Sequence, residues 1–238
     1  MKHPTTRIEA HRSVNDARVD VVLHYGAFAP RLIDRHPGGA RVALVSVVAL
    51  LLAGDEVRIE VVVGAGVELE VVETSGAVAY DMDAGAARWD VDLTLETGAS
   101  LTWLGLPFVV STGASVARST RAQVADRARL VLRETIALGR SGQQGGDLHQ
   151  HTSMYAGAHP ILVESLDLGS ARASFAGLAG HRCVDSLIVL GPQGAPDLAS
   201  ADATVLSLAR PGWMVRSITD QTHRSGIERV LKAMALNL

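Results

Sequence analysis

Three glutamates, Glu73, Glu134 and Glu164, lie where the surrounding sequence alternates in a way that should place apolar side chains. A carboxylate on a buried strand face has to be paired, hydrogen-bonded, kept protonated or in contact with internal water. Carboxylate oxygens that are spaced apart suit weak, transient contacts with a divalent cation better than tight capture. Two interpretations follow. Either each glutamate pairs with an arginine or a backbone group, or the three line a polar passage through a β-structure.

The segment around Glu134 shows the alternation most clearly. Its apolar face is formed by Leu130, Leu132, Ile136 and Leu138. A period of two residues is typical of a half-buried strand. Glu164 shares a face with leucines on a strand predicted over Ile161–Leu168, and Glu73 ends an alternating run that begins at Val67.

Most of the chain repeats this pattern and predicts an all-β fold. Further strands are predicted at Arg18–Tyr25, within the apolar run Val42–Ala53, and at Val57–Val63, Val67–Val71, Trp89–Leu95, Leu101–Trp103, Val116–Val124, Arg172–Phe175, Cys183–Leu190 and Thr204–Leu208. The turn Gly64-Ala65-Gly66 predicts that the strands on either side of it form a hairpin. Gly-Ala pairs recur at residues 64, 98 and 113 without a fixed period, so a regular sequence-repeat solenoid is not predicted.

Only the C-terminal segment, Gln221–Leu238, has a helical pattern. Thr222 or Ser225 can cap the start of this helix. Its apolar face is formed by Ile227, Val230, Leu231 and Met234. We expect this face to contact a partner protein; the alternative is that it packs on the sheet.

The composition limits the classes of function. A chain of 238 residues suits one domain over residues 1–238, and a net charge of −3 with scattered arginines argues against nucleic acid as a partner. Val42–Ala53 is far shorter than the ~20 residues that a membrane-spanning helix needs, so no membrane contact is expected. Cys183 is the single cysteine, which excludes a disulfide framework and fits the reducing cytoplasm. Met1–Pro4 lacks the apolar core of a signal peptide.

Other chemistry-bearing motifs are weaker. His149-Gln150-His151 has the spacing of a cupin-type metal site, but no glutamate follows a few residues later. The glycine-rich stretch Ser141–Gly146 lacks the Gly-Lys-Ser/Thr of a phosphate-binding loop, and no Gly-x-Ser-x-Gly nucleophile motif is found. An exposed loop is the expected setting of both histidines.

Several of these segments, in this order, resemble the urease accessory protein of the UreD (also called UreH) family, particularly its shorter actinobacterial members. The residues that carry the resemblance are Gly54-Asp55, Val63–Leu69, Ala128–Leu130, Glu134, Leu138–Arg140 and Glu164–Leu168. It covers roughly residues 20–235, and the stretch from Ala128 to Arg140 is its most specific part.

The resemblance implies a maturation factor without enzyme activity. The implied fold is an irregular helical stack of β-strands, β-helix-like, with a short helical C-terminal region. The implied partners are the accessory protein UreF, the GTPase UreG through UreF, and urease apoprotein, to whose active site nickel is delivered by an internal passage. We expect no tightly bound cofactor and only transient contact with Ni²⁺. The candidate contacts are Asp55, Glu73, Glu134 and Glu164.

Two loops depart from the family pattern. Residues 47–53 stand where the family has Pro-Pro-Gly-Gly-Leu-Val-Gly-Gly, and Val72–Ser75 stand where it has Thr-Thr-Gln-Ala. Two other functions stay open from the residues: a metal-dependent β-structured enzyme that uses His149 and His151, and a purely structural β-domain that binds protein partners and no ion.

Overall fold

The computed structural model describes residues 2–13, 18–47, 51–169, 178–195 and 203–235. Its strands in chain order are β1 (Thr6–Arg12), β2 (Val19–His24), β3 (Phe28–His36), β4 (Gly39–Ser46), β5 (Glu56–Val63), β6 (Glu68–Glu73), β7 (Ala77–Ala79), β8 (Ala87–Leu95), β9 (Ser100–Leu104), β10 (Phe108–Val110), β11 (Ser115–Val124), β12 (Arg129–Leu138), β13 (Asp147–Ala156), β14 (His159–Leu168), β15 (Cys183–Leu190), β16 (Thr204–Ser207) and β17 (Gly212–Thr219).

The strands form two facing sheets. Sheet A has the order β14-β13-β11-β8-β5-β1-β2, and the main path of sheet B has the order β16-β17-β15-β12-β9-β6-β4-β3. The short strands β7 and β10 pair with each other, and β10 also pairs with the end of β12. The core between the sheets consists mainly of Val, Leu and Ala.

From β5 onward the chain coils from one sheet to the other. In sheet A, β5, β8, β11 and β13 lie side by side and parallel; in sheet B, β6, β9 and β12 do the same. The hairpin predicted around Gly64-Ala65-Gly66 is therefore wrong, because β5 and β6 belong to different sheets. Alternation and a glycine turn occur in both arrangements, so the local pattern could not distinguish them.

The coils are irregular, since their strands in sheet A begin at Glu56, Ala87, Ser115 and Asp147 without equal spacing. Antiparallel pairs complete the two sheets at their ends. The predicted all-β, β-helix-like stack of strands with a short C-terminal helix is thus confirmed.

Most predicted strands are present within a few residues of their expected bounds, whereas β1, β3, β7, β10, β13 and β17 were not predicted. The apolar run Val42–Ala53 contributes to β4 as far as Ser46, and residues 51–53 are not in a strand; residues 48–50 lie outside the described part. The strand predicted at Arg172–Phe175 also lies outside the described residues.

The C-terminal helix α1 (Ile227–Ala235) lies on the outer face of sheet B. Ser225 caps its start, because its Oγ accepts a hydrogen bond from the backbone N–H of Ile227 at 3.2 Å. The last residues of the predicted helix, 236–238, lie outside the described part. Within the described ranges, no helix has both the length and the apolar character needed to cross a bilayer.

Candidate functional site

A layer of polar side chains runs through the apolar core, across the strands. In sheet B, Glu134, Ser186 and Arg216 occupy paired positions on β12, β15 and β17. In sheet A, Thr120, Thr152 and Glu164 occupy paired positions on β11, β13 and β14. Residues in register lie at the same height along neighbouring strands of a sheet. The contacts of Glu134 with Thr120 and of Arg216 with Glu164 join the two rows into one layer.

Glu134 is the most buried carboxylate of this polar layer, with a side chain only 5% exposed. Its Oε1 lies 2.8 Å from Nη2 of Arg118 and accepts a hydrogen bond from the Thr120 hydroxyl at 2.7 Å. Its Oε2 accepts a hydrogen bond from Nε2 of Gln150 at 3.2 Å. The predicted inward position of Glu134 is confirmed, and its charge is balanced by a guanidinium from the opposite sheet.

Glu73 lies near Glu134, at the end of β6. Its Oε1 accepts a hydrogen bond from the indole N–H of Trp103 at 2.9 Å, and its Oε2 accepts one from the backbone N–H of Leu106 at 2.8 Å. Burial raises the pKa of the Glu73 carboxyl above its ordinary value; the two hydrogen bonds and the charge of Arg118 oppose the rise, and Glu134 adds to it.

Glu164 lies at the other end of the layer and forms a bidentate pair with Arg216. Both carboxylate oxygens lie 2.6 Å from guanidinium nitrogens of Arg216, whose Nε donates to Ser186 Oγ at 3.0 Å. The predicted shared face of Glu164 with Leu162, Leu166 and Leu168 is present. All three interior glutamates thus have arginine, side-chain or backbone partners, which matches the first of the two interpretations that the sequence allowed.

A cavity of about 180 Å³ adjoins the polar layer, with room for several water molecules or a small organic ion. Its polar lining includes Glu73, Arg118, Thr120 and Glu134, and its aromatic lining includes Phe28, Tyr80, Trp89, Trp103 and Phe108. The half-exposed residues Tyr80 and Leu106 lie at its border. The structure therefore brings Glu73 and Glu134 to one cavity, whereas Glu164 does not line it.

Asp55 also does not line this cavity. It lies in the turn before β5, is 5% exposed, and its Oδ2 accepts a hydrogen bond from the backbone N–H of Leu52 at 2.9 Å. Its Oδ1 lies 3.5 Å from Nε2 of His3. These contacts tie the N-terminal segment to the turn that starts the coil.

His149 and His151 lie on β13 rather than in a loop, and both point away from the core. Nδ1 of His149 lies 2.5 Å from Asp167 Oδ1, and Nδ1 of His151 lies 2.9 Å from the Ser165 hydroxyl. In the part of the chain that the structure describes, no three His, Cys, Asp or Glu side chains are arranged to hold a metal ion.

The apolar face of α1 packs on sheet B. Ile227 and Val230 are fully buried against Leu187, Val189, Trp213 and Val215, and Leu231 and Met234 lie partly buried at the margin. An ion pair of 2.5 Å between Arg133 Nη1 and Glu228 Oε1 adds a polar tie beside this contact. Packing on the sheet, the alternative to partner contact, therefore accounts for this face.

Sequence reasoning missed the basic and donor residues of the layer: Arg118, Gln150 and Arg216. Arg118 occupies an alternate position with Val116, Ala122 and Val124. That register could have identified it as inward-facing, by the same argument that found Glu134.

Comparison with known proteins gives consistent matches over most of the chain. The family model described as UreD urease accessory protein matches residues 4–236. A urease accessory protein UreD 1 of Streptomyces griseus subsp. griseus is 37% identical over 96% of this chain and 89% of its own length. A urease accessory protein UreD of Frankia alni is 32% identical over 90% of this chain and 89% of its own length. One from Streptomyces avermitilis is 31% identical over 82% and 86%, respectively.

Proposed function

This chain belongs to the UreD urease accessory protein family, and we propose that it is a urease maturation factor that scaffolds the accessory complex on urease apoprotein and assists nickel delivery. The observation that carries this proposal is the match to relatives named as urease accessory proteins over nearly the whole chain. We propose that it acts without enzyme activity of its own and works in the cytoplasm.

We propose a UreF-like accessory protein as the direct partner, with a UreG-like GTPase joining through it. Burial of Ile227 and Val230 leaves the opposite side of α1 available for protein contact. That side carries the exposed residues Arg229 and Lys232, and the exposed Glu228, which pairs with Arg133 of sheet B, lies at its edge. A contact through α1 would therefore use this charged side together with the partly buried Leu231 and Met234. The buried Ile227 and Val230 would hold the helix on sheet B.

We further propose that Ni²⁺ passes through the interior beside the polar layer. Glu73 and Glu134 border the cavity and offer carboxylate oxygens, which suit weak contacts with a divalent cation. Glu164 and Asp55 are proposed as further transient contacts of the cation outside the cavity. Arg118 and Arg216 hold two of these carboxylates, so a passing dication has to displace a guanidinium. Such exchange keeps the cation contacts transient.

Co-expression with a complete urease operon tests the scaffold proposal. A tagged chain should co-purify with the UreF-like protein, the UreG-like protein and urease apoprotein. When the UreF-like gene is deleted, the UreG-like protein should be lost from the eluate. A chain that purifies alone from cells containing all these proteins would contradict the proposal.

A further inference from the structure

Three buried hydrogen-bond donors beside the cavity have no partner among the described residues. They are Nε and Nη1 of Arg118 and the indole Nε1 of Trp89. The side chain of Arg118 is 10% exposed and Trp89 is 5% exposed. Both residues line the cavity. Buried polar groups are nearly always hydrogen-bonded, so donors that remain unpaired beside a cavity point to an occupant that accepts hydrogen bonds.

Aromatic contacts hold these donors close together at the cavity. The guanidinium carbon of Arg118 lies 5.3 Å from the ring centroid of Phe108, and Phe108 meets Trp89 edge-to-face with centroids 5.4 Å apart. Arg118 and Trp89 are also direct partners in the register of β11 and β8. Stacking and register therefore fix the guanidinium and the indole next to each other.

The carboxylate acceptors that line the cavity are already used. Both oxygens of Glu134 and both oxygens of Glu73 accept hydrogen bonds from protein donors. Among the described residues that line the cavity, the buried side-chain atoms without a partner are thus donors, two of them on a cation; the unpaired acceptor Gln150 Oε1 belongs to the polar layer but not to the cavity lining. We infer that the cavity is a binding site for a small carboxylate-type oxyanion, which Arg118 and Trp89 hold by charge-assisted and neutral hydrogen bonds. This inference does not depend on the role in urease maturation.

Glu73 links binding of the anion to a proton. The other titratable residues that line the cavity are Tyr80, Arg118, Arg133 and Glu134. An anion beside Arg118 adds negative charge near a Glu73 carboxyl whose pKa burial already raises. Binding should therefore promote protonation of Glu73, and affinity should rise as the pH falls.

Titration of the full chain with acetate tests the site. Binding is measured by calorimetry and by ¹³C NMR of labelled acetate. We expect saturable binding of one acetate, tighter as the pH falls within the range in which acetate stays ionised, and weaker binding of acetamide, which has the same shape without the charge. Trp89→Phe keeps an aromatic ring and removes one donor, so it should weaken acetate binding about tenfold. Trp213→Phe is the matched control, because Trp213 lies outside the cavity and donates to Gln193 O; it should leave the affinity unchanged.

Several results would overturn the inference. No saturable acetate binding would mean that water alone satisfies the donors. Equal affinities for acetamide and acetate would show that the site does not recognise negative charge. An equal loss of acetate affinity in the Trp89 and Trp213 variants would show that acetate binds elsewhere. Arg118→Gln should abolish binding, and the Trp89 variant keeps the test decisive if the Arg118 variant fails to fold.

Discussion

Two arginines of the same strand, Arg118 and Arg121 of β11, meet carboxylates in opposite settings. Arg118 points between the sheets, has a side chain 10% exposed, and lies 2.8 Å from Glu134. Arg121 points outward, is 42% exposed, and lies 2.6 Å from Asp92. Distance alone would rank the outer pair as the stronger. Removing one partner should nevertheless cost more stability at the inner pair. Water can solvate the charge that is left at the outer pair, but it cannot reach the one left at the inner pair.

The outer pair is part of an ion ladder across β1, β5, β8 and β11. Its members are Arg7, Glu9, Arg58, Glu60, Arg88, Asp90, Asp92 and Arg121. Most members of the ladder have two oppositely charged neighbours and a side chain that is at least 22% exposed. Inside, Glu134 is the carboxylate paired with Arg118. The alternation of β11 thus places one arginine on a surface where its loss should cost little stability and another in the interior where its loss should cost much.

Arg118→Met should have the largest effect on stability. It leaves Glu134 buried without its cation, so the free energy of unfolding should fall by about 3–5 kcal/mol in urea denaturation. In Arg118→Met/Glu134→Met both charges are gone, and most of this loss should be recovered. A loss below about 1 kcal/mol in the single variant would make the inner pair equivalent to a surface pair.

Glu134→Gln tests the nickel route, because it keeps the shape and removes the carboxylate. Glu134→Gln also breaks the buried ion pair and should lower stability, so urease activity and nickel content are compared per amount of complex formed, and on that basis they should fall several-fold. Arg118→Gln is the matched control, since it breaks the same ion pair and keeps the carboxylate. Equal losses of activation in both variants would assign the effect to stability and remove Glu134 from the route. Adding Glu164→Gln to Glu134→Gln then tests the second carboxylate.

Alternation in the sequence was sufficient to place the glutamates, but not to find their partners. The period of two depends only on neighbouring residues, so the inward positions of Glu134 and Glu164 could be read directly. Arg118 comes from the opposite sheet, and Arg216 lies 52 residues after Glu164 in the chain. Pairing across a core depends on the tertiary arrangement, which no local pattern contains.

The sequence pattern could not predict the coiling of the chain between the two sheets, for a related reason. A glycine turn between two amphipathic strands is compatible with a hairpin or with a change of sheet. The choice depends on which later strands arrive alongside, here β8 for β5 and β9 for β6. The all-β class was predictable because it needs only the number of alternating segments.

Leu231→Asp separates the two roles considered for α1. Leu231 lies partly buried at the edge of the outer apolar cluster, so a carboxylate there should lower the free energy of unfolding by about 1–2 kcal/mol. The β circular dichroism signal should persist, because the main core lies on the other side of sheet B. Lys232→Asp, on the exposed side, is the control. Loss of partner pull-down in Lys232→Asp with full stability would place the contact on the exposed side of α1.

The pH dependence of stability should identify Glu73 as a carboxylate whose pKa is raised by burial. Its folded-state pKa is raised above the ordinary value of 4.5, so the folded state binds more protons than the unfolded state between these values. Its contribution is therefore present at low pH and is lost as the pH rises through the raised pKa. The unfolding free energy of wild type relative to Glu73→Gln should therefore fall as the pH rises above the ordinary value of 4.5 and through the raised pKa. A difference that does not change with pH would show that Glu73 has an ordinary pKa.

Arg121→Gln should have the smallest effect and completes the comparison within β11. Asp92 keeps Arg58 as a second cation at 3.1 Å, and Asp90 keeps Arg88, so no outer carboxylate is left unpaired among the described residues. The loss of stability should be at most about 1 kcal/mol and should shrink further at high salt, because ions screen exposed charges. The same salt series on Arg118→Met should leave its larger loss nearly unchanged, since the inner pair is shielded from solvent. Urea denaturation of both variants at low and high salt measures this difference. A salt-independent loss in Arg121→Gln would show that the outer ladder is also a structural ion network, and the contrast between the two faces of β11 would then fail.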